Sequence, residues 1–295
     1  MSAEVLFETQ RKRVLELYKR AGQPFRASTK PYKSTRALKW RIAEANAAGA
    51  PPHAFLICDG AQELEFYDYG VGEAITQGLD GLGNVSDSKT ATRGDTNLSK
   101  AHSTNGAEDF IIEGVGAGAR GIRINYTDAA IAAFGVDPVA GDPGAIKMLR
   151  GQAYHVDPAA LFTPPQLHSP FNLEAVLYQA VAPHMAVEFE WDEEHVVKIG
   201  TLDELPQAGA ASYLRSNGQP RNDNKYRIPE GYVWRRDGQA DSEFVVRMKL
   251  TETVAVPINL IAAPVDGGAV QTPQRVVLDI STRLYGLSVK IPSQN

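Results

Sequence analysis

Strict alternation in the last hundred residues constrains this chain most. In AVEFEWD, Val187, Phe189 and Trp191 alternate with Glu188, Glu190 and Asp192, the pattern of an antiparallel strand with one face on a core and the other in water. SEFVVRMKLTETVAVPINLIAAP sets Val246, Met248 and Leu250 against Val245, Arg247 and Lys249, and Pro257 marks an edge or a bend. QRVVLDISTRLYGLSVKIP reads as one or two further strands. Turn-forming clusters (RSNGQPRNDN, RRDGQADS, APVDGG) separate these runs. Upstream, HAFLICDG and ELEFYDYGVG read as short strands split by the turn signal Asp59-Gly60. Short strands at this spacing favour a mainly β, antiparallel sandwich or barrel over alternating βαβ units. The body is expected to occupy residues 51–295.

One stretch competes with that reading. EDFIIEGVGAGARGIRINY contains GAGARG, Gly116 to Gly121, which matches the G-x-G-x-x-G fingerprint of dinucleotide-binding enzymes. That fingerprint requires a helix to open within the motif, so that backbone N–H groups hold a pyrophosphate. Here Ile122, Ile124 and Tyr126 alternate with Arg123 and Asn125, which is a strand. The expectation is two strands, DFIIEGV and RGIRINY, joined by glycines that supply turn conformations.

The N-terminal end differs from the rest. Residues 1–45 carry eleven Lys/Arg against four Glu, a net of +7, and the other 250 residues carry 19 basic and 31 acidic side chains, a net of −12. AEVLFETQRKRVLELYKRA has apolar residues near one helical face, and Gly22 suits its end. A second helix is expected from Ser34 through TRALKWRIAEANAAG to Gly49, before Pro51-Pro52. Residues 1–50 therefore read as a basic helical arm. Its cations are Arg11, Lys12, Arg13, Lys19, Arg20, Arg26, Lys30, Lys33, Arg36, Lys39 and Arg41. Such an arm suits either a solvated helix face or an anionic partner: nucleic acid, lipid headgroups or an acidic patch on a neighbouring subunit.

Residues 76–106 are rich in Gly, Ser, Thr, Asn and Asp, and read as a long polar loop. The loop holds Arg93-Gly94-Asp95, a tripeptide that some adhesion receptors read and that also arises by chance. Two short helices are expected inside the body, at TDAAIAAFG and at NLEAVLYQAVAPHM with Asn172 as N-cap. Cys58 is the single cysteine, which excludes an intrachain disulfide, and its setting in AFLIC suits a buried thiol. The sequons at Asn84, Asn97 and Asn125 are read as chance matches. The N-terminus is not expected to be a signal peptide, and no window is apolar enough for a membrane span.

Chemistry-bearing motifs are scarce. Six histidines (53, 102, 155, 168, 184, 195) are scattered, without paired-Cys, H-E-x-x-H or EF-hand spacing. His184 with Glu188, Glu193-Glu194-His195, and the pair His155 and Asp157 are weak candidates for metal or acid–base roles. No nucleophile elbow or Walker A sequence occurs. The expectation is no enzyme, no cofactor and no metal. KYRIPEGYVWRRDG mixes aromatic residues with arginines, which suits a subunit interface, ordinary sandwich core beside a charged turn, or a platform that stacks a sugar or base. Tyr226, Arg227, Tyr232, Trp234 and Arg235 form the candidate interface.

A basic helical arm, a long polar loop and strands such as DFIIEGV, GIRINY, AVEFEW, SEFVVRMKL and QRVVLDIS form an arrangement that resembles the β-sandwich (jelly-roll) capsid proteins of tailless icosahedral bacteriophages. The resemblance covers residues 54–290 and rests on no diagnostic motif. It implies a self-assembling virion protein, made in the host cytoplasm. Its partners would be other copies of itself and other virion proteins, with the arm turned to the interior, where it would touch a membrane, nucleic acid or adjacent capsomers. Two alternatives stand beside it: a β-sandwich carbohydrate-binding module or glycan-active enzyme, and a capsid or other virion protein of the tailed-phage type.

Overall fold

The computed structural model describes residues 3–20, 22, 26–29, 31–45, 53–76, 88–102, 108–125, 170–191, 195–205, 226–234, 244–257 and 275–290. Its elements are helix α1 (Ala3–Arg20), strands β1 (Arg26–Thr29), β2 (Tyr32–Ala45), β3 (His53–Cys58), β4 (Glu63–Phe66), β5 (Ala74–Thr76), β6 (Ser88–Thr90) and β7 (Glu108–Asn125), helix α2 (Pro170–Val181) with a 3-10 turn at Ala182–His184, and strands β8 (Met185–Trp191), β9 (His195–Thr201), β10 (Tyr226–Trp234), β11 (Phe244–Leu250), β12 (Val254–Pro257) and β13 (Arg275–Lys290). The chain is mainly β, with few helices.

Among the described residues the strands form two principal sheets and a small hairpin. The first sheet runs β10-β7-β13-β2-β3-β12, with β1 also on β13, and the second runs β4-β11-β8-β9; β5 pairs β6. Every pairing is antiparallel. Eight of the strands, taken in chain order as β2, β4, β7, β8, β9, β10, β11 and β13, pair in a nested way. The first pairs the eighth, the second the seventh, the third the sixth and the fourth the fifth.

The alternation expected from sequence is met in β8, and in β11 from Val246 to Leu250, whereas Val245, expected on the opposite face, is also buried. Val187 and Phe189 are buried, as are Phe244, Val246, Met248 and Leu250. These residues join one hydrophobic cluster with Tyr32, Leu38, Trp40, Phe110, Ile112 and Leu278 of the first sheet, and with Leu177, Tyr178 and Val181 of α2. Burying this apolar area is the main stabilising term, at roughly 25 cal/mol per Å². A smaller cluster lies on the other face of the first sheet. There Val14, Leu15 and Tyr18 of α1 meet Ile111 of β7 and Leu287 and Val289 of β13.

Four expectations change. First, residues 34–45 are strand, not helix. Tyr32, Ser34, Leu38 and Trp40 are fully buried while Lys33 and Lys39 are partly exposed, and β13 pairs them from Arg41 to Tyr32. A period-two reading fits these residues as well as a helical one, and a long partner strand decides between them. The basic arm of residues 1–50 is therefore helix α1 followed by two strands of the first sheet.

Second, Glu108–Asn125 is one strand, not a hairpin. None of Gly114, Gly116, Gly118 and Gly121 has positive φ. β13 accompanies β7 from Lys290↔Glu108 to Arg275↔Asn125, with register shifts that leave Glu113 and Arg120 as extra residues on β7. Bulges of this kind absorb twist in a long ribbon and re-aim a side chain. No helix opens within GAGARG, so the dinucleotide reading falls.

Third, residues 88–102 are not a purely exposed loop. Leu98 sits in the main cluster, and Ala91 packs with Tyr69 and Ile75. Fourth, α2 begins at Pro170, so Asn172 lies inside its first turn rather than capping it. The helix expected at TDAAIAAFG, and His155 with Asp157, lie outside the described residues.

Candidate interaction surfaces

The arm residues separate into three settings. On α1, Arg11, Lys12, Arg13, Lys19 and Arg20 are exposed. Arg11 pairs with Glu8 at 3.1 Å and Arg20 with Glu16 at 4.0 Å, one helical turn away; exposed pairs of this kind stabilise little. Arg26 is exposed on β1 and Lys30 lies outside the described residues.

The third setting is β2, where the cations are part of the sheet. Arg36 reaches the Asp68 carboxylate, donates Nε to the carbonyl of Glu65 at 2.7 Å, and lies 4.6 Å from the centre of the Tyr69 ring. Burial pushes the Asp68 carboxyl above the usual carboxylate range, against the pull of Arg36. Arg41 holds Asp59 by two contacts from Nε, at 3.0 and 2.9 Å. Arg36 and Arg41 are therefore engaged within the fold.

The edge of β2 that faces away from β13 is closed by side chains. Lys33 N–H donates to Asn97 Oδ1 and Asn97 Nδ2 donates to the Pro31 carbonyl, both at 2.8 Å. Thr35 N–H donates to the Tyr69 hydroxyl at 3.1 Å, and that hydroxyl donates to the Thr35 carbonyl at 2.5 Å. Lys39 N–H donates to Gln62 Oε1 at 3.3 Å and Gln62 Nε2 donates to the Lys39 carbonyl at 3.0 Å. Strand β3 takes over from Arg41 onward. Three side chains thus stand in for a neighbouring strand and satisfy backbone groups that would otherwise template aggregation.

On the β13 side of Lys33, on the same face, lie cations that sequence reasoning did not single out. Arg283 of β13 is directly opposite Lys33. Arg120, the extra residue of a β7 bulge, donates Nη1 to Thr35 Oγ1 at 3.1 Å and lies 3.7 Å from Asp95. Burial, then the Arg120 and Arg283 guanidiniums, hold the Lys33 ammonium below the usual lysine range, with Asp95 opposing. No sequence signal marks this group, because it exists only through strand register.

The tripeptide Arg93-Gly94-Asp95 is not displayed as a ligand. Asp95 is buried and accepts hydrogen bonds from Thr92 N–H at 3.1 Å and Thr92 Oγ1 at 2.8 Å, closing a tight turn. Asn97, one of the three sequons, has its amide committed to β2. Cys58 is fully buried, and burial pushes its thiol up to about 12; it is a structural thiol. His184 meets Glu252, not Glu188. Among the described residues no group of three His, Cys, Asp or Glu is placed to hold a metal ion. No helix among them is long and apolar enough to cross a membrane.

The aromatic candidates fall on β10, which ends the first sheet's strand order. Tyr226 pairs Val115, Arg227 pairs Gly114, Tyr232 pairs Ile112 and Trp234 pairs Phe110. Tyr226 is half-buried against the main cluster. Arg235 lies outside the described residues. β10 also abuts α1, so the basic helix and the aromatic strand share one end of the sheet.

Comparison with family models, curated proteins and solved structures gives no match.

Proposed function

We propose that this chain is a shell-forming structural protein, a capsid or other virion protein built on a jelly roll. The nested strand pairing carries the reading. First with eighth through fourth with fifth, folded into sheets ordered 1-8-3-6 and 2-7-4-5, is the wiring of two Greek keys in a double-sheet jelly roll, an architecture used by viral capsids and lectins. The shared core of the two sheets supports a sandwich. α1 supports an arm, with Val14 anchored on β7 and β13 and with Lys12, Arg13 and Lys19 turned outward.

In this reading the mechanism is geometric. Symmetric copies make many weak contacts, and closure multiplies them. β10, at the end of its sheet and carrying Tyr226, Arg227, Tyr232 and Trp234, is the contact strand. The outward cations of α1 face an anionic interior, nucleic acid or membrane headgroups, with an attraction that salt weakens.

The test is particle size by light scattering and negative-stain microscopy, across protein concentration and salt. Shells, sheets or regular multimers are expected. A stable monomer that binds oligosaccharide overturns the reading in favour of a carbohydrate-binding module on the same wiring.

A further inference from the structure

We propose that Lys33, Arg283 and Arg120 form a site for a phosphate-class oxyanion on the outer face of the first sheet. Like charges directly opposite on neighbouring strands are destabilising. Lys33 and Arg283 are such a pair, in consecutive register between Ser34↔Thr282 and Tyr32↔Leu284. Arg120 joins them from the third strand. Its guanidinium is fixed from below by Thr35 Oγ1 at 3.1 Å, two residues along β2 from Lys33 on the same face. Three cations from β2, β13 and β7 therefore converge, and Asp95 is the carboxylate beside them. Asp95 is buried, 3.7 Å from Arg120, and already accepts two hydrogen bonds from Thr92. Neither Lys33 nor Arg283 has an ion-pair partner among the described residues.

The donor chemistry selects the ligand. Two guanidinium forks and an ammonium match the several acceptor oxygens of a phosphate, which a single carboxylate or a halide cannot match. The site is also anchored. Lys33 has its backbone fixed by Asn97 at 2.8 Å, and burial with its cationic neighbours depresses its ammonium, which a bound dianion relieves. The Arg120 bulge serves the same end, because the extra residue turns this side chain towards Thr35 and Lys33 rather than continuing the ladder. The inference does not depend on shell assembly, since the three residues belong to one chain.

The test is calorimetric titration of the full chain with inorganic phosphate, against chloride at matched ionic strength. Phosphate is expected to bind, and Arg283→Gln to weaken it at least tenfold. Arg283 is exposed and opposes a like charge, so this variant keeps or slightly raises the wild-type urea midpoint. Lys33→Met gives the same loss through a second residue, and Lys249→Gln, on the second sheet, leaves binding unchanged. A second arm uses phosphatidylglycerol vesicles against phosphatidylcholine vesicles. Retention that free phosphate competes away assigns the phosphate to a headgroup, and phosphate binding without retention assigns it to a soluble phosphate. No phosphate binding beyond chloride, or binding that both variants leave intact, overturns the site. Particle size is read on the same samples, so a failed site and failed assembly are distinguished.

Discussion

Gly286 shows how tightly single residues are constrained where β7 and β13 shift register. A Cβ there would stand 2.2 Å from the Ile111 carbonyl oxygen and 2.7 Å from Phe110 Cζ. Gly286→Ala must therefore move the backbone of the central strand pair, and is expected to cost roughly 2–3 kcal/mol in urea denaturation. A midpoint equal to wild type would mean the two strands are not held at this spacing. Titration gives a second prediction at this scale. The Cys58 thiol is raised from 9.0 to about 12, chiefly by burial. Its contribution to stability is fully present below pH 9 and is lost as pH rises from there towards 12, because the unfolded thiol ionises first. The buried phenols of Tyr67, Tyr69 and Tyr178, also raised by burial, act in the same direction above their ordinary value of 10.0. Unfolding free energy is expected to be flat from pH 7 to 8.5 and to fall progressively above pH 9, by amounts that Cys58→Ser reduces at the lower end of that window. A flat profile to pH 11 would contradict the burial of these groups.

Among the elements, β2 carries the sharpest consequences. Its open edge depends on Asn97, Tyr69 and Gln62 in place of a strand. Gln62→Ala removes the side chain that bonds both the N–H and the carbonyl of Lys39, and is expected to cost about 1–3 kcal/mol. Amide exchange locates the loss, with Lys39 accelerated and Leu38, on the β13 side of the ladder, much less so. Uniform acceleration would argue against a local cap. α1 is the second element with a direct test. Val14 is 5% exposed against Ile111, Leu287 and Val289. Val14→Asp buries a carboxylate on that patch, and is expected to cost roughly 2–3 kcal/mol and to raise dye binding to exposed apolar surface. How much of these elements the sequence reveals follows from their physics. β8 and β11 are legible because Glu188, Glu190, Arg247 and Lys249 keep access to water between buried apolar residues, so alternation is written residue by residue, with Val245 the exception. β2 is not legible, because Leu38 and Ile42, four residues apart, suit a helix as well as the alternation of Leu38, Trp40 and Ile42 suits a strand, and its state depends on β13 at the far end of the chain. The glycines of β7 suggest a turn locally, and only a partner as long as β13 reveals that they run extended. Arg120 and Arg283 join Lys33 through register alone, which no local pattern records.

At the scale of the whole molecule, nested pairing sets what can be removed without unfolding the chain. β1 and β2 run in a single register along β13, from Arg26↔Lys290 to Arg41↔Arg275, interrupted only near Pro31. Deleting the N-terminal third of the basic segment beyond Gly22 therefore strips partners from the last strand, and any loss of assembly would report lost folding. The arm must be tested by charge. Lys12, Arg13 and Lys19 are exposed on α1 and make no ion pair among the described residues, so changing all three to Gln leaves the Val14 anchor and the sheet intact. The variant is expected to keep the wild-type urea midpoint within about 0.5 kcal/mol. If α1 faces an anionic interior, wild-type particles form more readily with a polyanion at low salt and lose that gain as salt rises, since the attraction is screened beyond about 8 Å at physiological ionic strength. The triple variant then assembles to the same limited extent at every salt concentration, with or without polyanion. Identical salt curves for wild type and variant, measured by light scattering, would remove α1 from the interior role and leave β10 as the element that drives assembly.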